Sequence, residues 1–152
     1  MQPNKDLLEF IDLLNANGVE YLVVGGFAVA WHGYPRFTAD IDFLVRPDRA
    51  NGELLVKTLV EFGFLSLNLV PEDFSRLDQI VQLGAKPNRI DLITSIAAVP
   101  FEEAWVSRAA GSINGRPVSF IGRDALLRNK LATGRPQDLR DVDVLSQRSP
   151  RE

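Results

Sequence analysis

The chain has 152 residues, a net charge of −3, 45% hydrophobic residues and 24% charged residues, values typical of a globular domain with one core. Cysteine is absent and His32 is the single histidine, which excludes disulfides and thiolate metal sites and argues against a histidine-based zinc site. The negative charge argues against broad nonspecific binding of nucleic acid. No apolar run reaches the length of a membrane span, and the polar N-terminus is unlike a signal peptide. We therefore expect a cytoplasmic protein with no membrane partner.

The first part of the chain alternates helical and strand patterns. Apolar residues at helical spacing predict a helix in NKDLLEFIDLLNANG, with Asn4 as its cap. YLVVGG predicts a short buried strand that ends in a glycine pair, FAVAWHGY a short helix, and TADIDFLVR a second strand. Pro47-Asp48 opens a further predicted helix.

The second part predicts strands followed by helices. DQIVQLGA and RIDLITS predict two strands around a turn at Lys86-Pro87-Asn88, after a helical turn in PEDFSRL, and FEEAWVSRAAG predicts a helix. SINGRPVSFIG predicts a hairpin, because Asn114-Gly115 supplies the positive φ angles of a two-residue turn. Two closing helices are expected at about 123–147. The order of elements predicts one α/β (α+β) domain over residues 1–152, with a mixed sheet flanked by helices.

A pair of acidic residues lies in the second predicted strand, at Asp40 and Asp42. Side chains two apart on a strand point to the same face, with Cα atoms roughly 6.5 Å apart. Carboxylates in this arrangement suit Mg²⁺ or Mn²⁺, which prefer hard oxygen ligands. A pair of solvated aspartates at an exposed strand start is the simpler alternative.

A third carboxylate, Asp91, lies in the predicted strand RIDLIT among apolar neighbours. A buried and unpaired acid is costly, so Asp91 needs a partner. It could complete a three-carboxylate metal site with Asp40 and Asp42. It could equally pair with Arg89 or Arg36, or lie at the edge of the sheet.

A glycine pair, Gly25-Gly26, separates the first strand from the short helix. Glycine lets the backbone approach a ligand closely, and a helix start presents free N–H groups to a phosphate. The pair lies 14 residues before Asp40. A phosphate-binding turn beside a metal-binding strand is therefore a candidate site.

Together these motifs resemble the nucleotidyltransferase superfamily related to DNA polymerase beta. That superfamily has Gly-Gly or Gly-Ser, a short helix, D-x-D and a distant Asp, which here read Gly25-Gly26, Asp40-Ile41-Asp42 and Asp91. GYPRFTADIDFLV is similar to the R-x-T-x-D-I-D form of small prokaryotic nucleotidyltransferases of the toxin–antitoxin and abortive-infection type. KLATGRPQDLRDVDVL is similar to their closing K-x-x-x-G-R-x-x-D-x-x-D segment. The resemblance covers residues from about Tyr21 to Leu145.

The resemblance implies a role for each matching position. The three aspartates would bind the catalytic metals, and Asp91 would also position or deprotonate the attacking hydroxyl. The nucleotide-binding residues would be Gly25, Gly26, Arg36, Thr38, Lys130 and Asp138, with the glycines and Lys130 on the triphosphate and Asp138 either there or orienting Lys130. Gly26 stands where many members have serine, so that hydroxyl contact is absent.

The function implied is Mg²⁺- or Mn²⁺-dependent transfer of a nucleoside monophosphate from an NTP, such as ATP, to a hydroxyl, with release of pyrophosphate. The acceptor could be an RNA end, a protein or a small molecule. The alternative is a catalytically weak nucleotide-binding or interaction protein of the same fold, within a two-gene toxin–antitoxin module and with a cognate antitoxin or other partner chain. Retention of three costly carboxylates favours the enzyme.

Overall fold

The protein is an α/β domain in a computed structural model that describes residues 4–150. The helices are α1 Lys5–Ala16, α2 Gly25–Trp31, α3 Arg49–Glu61, α4 Phe101–Val106, α5 Arg123–Thr133 and α6 Pro136–Ser146. The strands are β1 Tyr21–Val24, β2 Asp40–Val45, β3 Ile80–Leu83, β4 Arg89–Ile93, β5 Ala109–Ile113 and β6 Arg116–Phe120. Short 3₁₀ turns lie at Leu65–Leu67 and Pro71–Phe74, the second within the predicted helical turn.

One mixed sheet contains all six strands, in the order β3-β4-β2-β1-β6-β5. β2 pairs in parallel with β4 and antiparallel with β1, while β1 pairs in parallel with β6. Antiparallel β3 and β5 close the two edges. The predicted mixed sheet flanked by helices is confirmed.

Local chemistry accounts for where the first helices start. The Asn4 side chain accepts a hydrogen bond from the Leu7 N–H, as its predicted cap role requires. Asp48 caps α3 in the same way, accepting from the Asn51 N–H. Each cap satisfies a backbone donor that the first helical turn would otherwise leave unpaired.

The core lies between the sheet and the helices. α1 packs on α3 and β6, and α2 packs on β1 and β2. Phe43 of β2 is fully buried, with its ring 5.8 Å from that of Phe10 and 5.4 Å from that of Tyr21. Phe43→Ala would cost about 3–5 kcal/mol. This packing fixes β2, and with it the acidic residues that β2 carries.

The predicted helix over FEEAWVSRAAG is wrong in its last part. α4 ends at Val106, and Ala109, Ala110 and Gly111 begin β5. A Cβ on Gly111 would lie 2.8 Å from the Phe120 ring and 2.9 Å from Trp31, so only glycine fits this pairing. Pairing with β6 overrides the helix propensity of the alanines. The hairpin itself is confirmed, with positive φ at Asn114 and Gly115.

Within residues 4–150, none of the helices combines the length and the apolar character that crossing a membrane requires.

Candidate active site

The parallel β2–β4 pair brings three carboxylates together. Asp42 is directly opposite Asp91 in the register, and Asp40 lies two residues earlier on the same face. One carboxylate oxygen from each of the three residues lies within 4.8 Å of the other two. The predicted convergence of Asp40, Asp42 and Asp91 is confirmed, and we call these residues the acidic triad.

Asp42 has the most perturbed environment of the triad. Burial raises its pKa to about 7, and the negative charges of Asp40 and Asp91 act in the same direction. Positive Lys130 opposes this shift and does not overcome it. Near neutral pH the triad therefore lacks enough positive charge to hold Asp42 fully ionised.

The glycine pair forms the first turn of α2, directly against the triad. Gly25 has φ +65°, and a Cβ there would lie 2.3 Å from Asp42 Oδ2. A Cβ on Gly26 would lie 2.8 Å from Thr38. Both positions thus require glycine, because the backbone approaches neighbouring side chains too closely for any larger residue. The predicted nearness of the Gly pair to D-x-D is confirmed.

Arg89 contacts two members of the triad. Its Nε donates to Asp91 Oδ1 at 2.7 Å, and its Nη2 donates to Asp91 Oδ2 and Asp40 Oδ2 at 3.0 Å each. Of the two arginines considered as partners for Asp91, Arg89 is the one that the structure pairs with it. No contact of this kind links Arg89 to Asp42 among the described residues.

In the segment before β2, the side chains on both sides of Phe37 form hydrogen bonds. Thr38 donates from its hydroxyl to the Asp40 carbonyl at 3.1 Å. Arg36 donates two hydrogen bonds to the carboxylate of Asp141, at 2.9 and 2.8 Å. Arg36 therefore links the segment before β2 to α6, and Thr38 bonds locally to Asp40.

A second acidic cluster lies between α5 and α6. Lys130 is 6% exposed, and its Nζ lies 3.1 Å from both Asp138 and Asp141. Asp138 also accepts from the Thr133 hydroxyl and from the Arg135 side chain, both at 2.7 Å. We call these side chains, together with Arg36, the closing-helix network. Asp138 therefore contacts the Lys130 ammonium directly.

The carboxylates of this network have pKa values shifted opposite to that of Asp42. Burial alone would raise the pKa of Asp138 and Asp141. The hydrogen bonds and ion pairs that they accept outweigh burial and hold both pKa values below the ordinary value of 3.8. Both aspartates therefore stay ionised at neutral pH, and the network is a neutralised one.

Sequence reasoning assigned no role to Asp141, the most deeply buried charged residue of the site. The signal was present, since Asp138 and Asp141 are three apart and therefore lie on one face of α6. What the sequence did not reveal is that Arg36, 105 residues away, is the partner. Arg89 carried a similar signal, being two residues before Asp91 on one strand.

The triad fits a divalent cation. Three carboxylates with oxygens this close form a hard, oxygen-only donor set of the kind that Mg²⁺ and Mn²⁺ prefer. Gly25 leaves the space beside Asp42 Oδ2 that a side chain would fill. A cavity of about 690 Å³ at the opposite ends of β2 and β4, lined in part by Pro47, Thr94 and Phe101, includes none of the three.

The fold of this chain is nucleotidyltransferase-like. Among solved structures, the chain is similar to an antigenic nucleotidyltransferase-like protein from Paracoccidioides brasiliensis, with a TM-score of 0.56 and 20% sequence identity. The similarity covers 95% of this chain and 78% of that chain. No protein-family model matches the sequence, and no curated protein matches it. The structural likeness therefore establishes the fold.

Proposed function

We propose that the protein is a metal-dependent nucleotidyltransferase that moves a nucleoside monophosphate from an NTP to a hydroxyl group. The observation that carries the proposal is the acidic triad, with three carboxylates from two adjacent strands within 4.8 Å of one another. Three negative charges this close repel one another, and a bound divalent cation would offset that repulsion.

In the proposed reaction, the acceptor hydroxyl oxygen forms a bond to the α-phosphorus of the NTP. The bond from the α-phosphorus to the pyrophosphate oxygen breaks, and pyrophosphate leaves. Asp91 positions the hydroxyl and accepts its proton. Bound Mg²⁺ or Mn²⁺ would supply the positive charge that stabilises the attacking and leaving oxygens. Asp40, Asp42 and Asp91 would hold it.

We infer that the nucleotide lies over the start of α2. The backbone N–H groups of Gly25 and Gly26 would contact the triphosphate, beside the anchored residues Arg36 and Thr38. Lys130 would act on the phosphates as a fixed positive charge, because Asp138 and Asp141 hold its ammonium group in place. Preorganised charge of this kind needs no rearrangement when the substrate binds.

The test is a labelling experiment. The protein is incubated with each α-³²P-labelled NTP, Mg²⁺ or Mn²⁺ and cell extract, and label is then measured in RNA, protein and small molecules. We expect label in one of these fractions together with release of pyrophosphate. The labelled fraction identifies the acceptor class, and co-purification of a second chain would identify a partner such as an antitoxin.

Two variants make the result specific. Asp42→Asn removes a triad carboxylate with little change of shape, and labelling should fall at least a hundredfold. Asp143→Asn changes an exposed carboxylate on α6 and should label like the parent. Nucleotide binding without any transfer in the parent would instead support a catalytically weak nucleotide-binding protein of the same fold.

A further inference from the structure

Arg89 occupies a special position relative to the triad. It is directly opposite Asp40 in the β2–β4 register, and it lies two residues before Asp91 on the same face of β4. From this position one guanidinium reaches two of the three carboxylates.

The contacts show how the guanidinium is used. Two parallel N–H groups bind both oxygens of Asp91, at 2.7 and 3.0 Å, and one of these groups also binds Asp40 at 3.0 Å. Charged, two-pronged hydrogen bonds of this type are among the stronger ones in proteins. The arginine side chain is 21% exposed, so it retains a route to solvent.

Arg89 contacts both oxygens of Asp91 and Oδ2 of Asp40, so a divalent cation held by the triad would share at least its Asp91 oxygen with the guanidinium. A divalent cation and the Arg89 guanidinium bound to the same carboxylates would also repel each other, because both are positively charged. Because the two positive groups share the Asp91 oxygens and repel each other, binding of one weakens binding of the other.

We propose that Arg89 is an internal counterion that competes with the divalent metal for Asp40 and Asp91, and so sets the metal affinity of the triad. In the metal-free protein it holds the two carboxylates together. When the metal binds, the guanidinium releases at least one of them. The inference rests on the triad being the metal centre of the proposed function, and not on nucleotidyl transfer itself.

The test is titration of Mn²⁺ alone into the metal-free protein, followed by calorimetry. Arg89→Gln removes the charge and leaves a shorter polar side chain that can still donate hydrogen bonds, and we expect its Kd for Mn²⁺ to be at least tenfold lower than that of the parent. Arg89→Lys retains the charge without the two-pronged geometry and should lie between the two. It also serves as the second variant if Arg89→Gln folds poorly.

The control separates contact from overall charge. Arg135 lies near enough to interact electrostatically with Asp42, but its hydrogen bonds go to Asp138. Arg135→Gln therefore removes one nearby positive charge without touching Asp40 or Asp91, and it should change the Kd for Mn²⁺ less than threefold.

A thermal measurement provides an independent readout. Metal-free Arg89→Gln should melt below the parent, because Asp40 and Asp91 lose their counterion. Saturating Mn²⁺ should narrow that difference, because the metal then fills the same role. A merely structural arginine would give the same difference with and without Mn²⁺.

The competing outcomes are distinct. An equal or weaker Mn²⁺ affinity in Arg89→Gln, or an equal gain in Arg135→Gln, overturns the competition. Absence of Mn²⁺ binding in the parent and in every Arg89 variant overturns both the competition and the metal centre. Metal binding with the expected order of affinities, but without nucleotidyl transfer, overturns the proposed activity and leaves the role of Arg89 supported.

Discussion

Two acidic clusters lie within one site and differ in how their charge is balanced. The triad has three carboxylates, and Arg89 contacts two of them. The closing-helix network has two carboxylates, which Lys130, Arg36 and Arg135 surround. The pKa of Asp42 is accordingly raised to about 7, whereas the pKa values of both network aspartates are lowered.

The comparison shows that buried aspartates alone do not identify a metal site. In the closing-helix network the cations are supplied by the chain, so its ion pairs hold α6 against α5 and against the segment before β2. Around the triad the chain supplies too few positive side chains, so a metal ion from solution could bind there favourably. At Asp42, burial and two neighbouring negative charges outweigh the nearby positive charge, whereas at Asp138 and Asp141 hydrogen bonds and cations outweigh burial.

The largest expected loss of stability comes from a change in the closing-helix network. Asp141 is fully buried and binds Arg36 and Lys130. Asp141→Asn leaves those cations undercompensated, and we expect a loss of about 3 kcal/mol or more in the free energy of unfolding. Urea denaturation measures it. Asp143→Asn, on the exposed side of α6, should stay within about 0.5 kcal/mol of the parent. Equal effects of the two changes would mean that the network is not structural.

The next effect tests how closely the backbone approaches the triad. Gly25→Ala adds a Cβ 2.3 Å from Asp42 Oδ2 at a φ of +65°. Gly18→Ala has nearly the same φ of +70° with nothing within 4 Å, so it isolates the backbone strain, worth about 1–2 kcal/mol. We expect Gly25→Ala to cost about 1–3 kcal/mol more and to weaken Mn²⁺ binding. Equal stability losses with unchanged Mn²⁺ affinity would contradict the close packing.

Much of the fold and the triad could be predicted from the sequence. Alternating strand residues placed Asp40 and Asp42 on one face, and Asp91 inside an apolar strand required a partner. Local patterns of this kind report neighbours along the chain. They do not report pairings such as Arg36 with Asp141, 105 residues apart, which depend on how the last helix docks. For the same reason the strand at Ala109 was missed, because its conformation is decided by β6.

A smaller effect concerns pH and the metal-free triad. The folded pKa of Asp42, about 7, lies above its ordinary value of 3.8. Its protonation therefore favours folding fully below about pH 4, and this contribution is lost as the pH rises through 7. At pH 8 the free energy of unfolding of Asp42→Asn should exceed that of the parent by about 1–2 kcal/mol. The difference should be smaller at pH 5. Denaturation at both pH values measures this.

The network aspartates should show the opposite pH dependence. Their lowered pKa values contribute to folding stability above about pH 4, and this contribution is lost as the pH falls further.

The outcome that would contradict the Asp42 prediction is a stability difference between the parent and Asp42→Asn that does not change from pH 5 to pH 8. The triad would then be as well neutralised as the network.

The most direct measurement is the melting temperature with and without millimolar Mn²⁺, in the parent and in Asp42→Asn. A metal that binds only the folded state stabilises it by mass action, by about 2.7 kcal/mol at a concentration of one hundred times Kd. The undercompensated triad predicts that Mn²⁺ raises the melting temperature of the parent and leaves that of Asp42→Asn unchanged. An equal rise in both proteins would contradict the account, because the ion would then bind elsewhere.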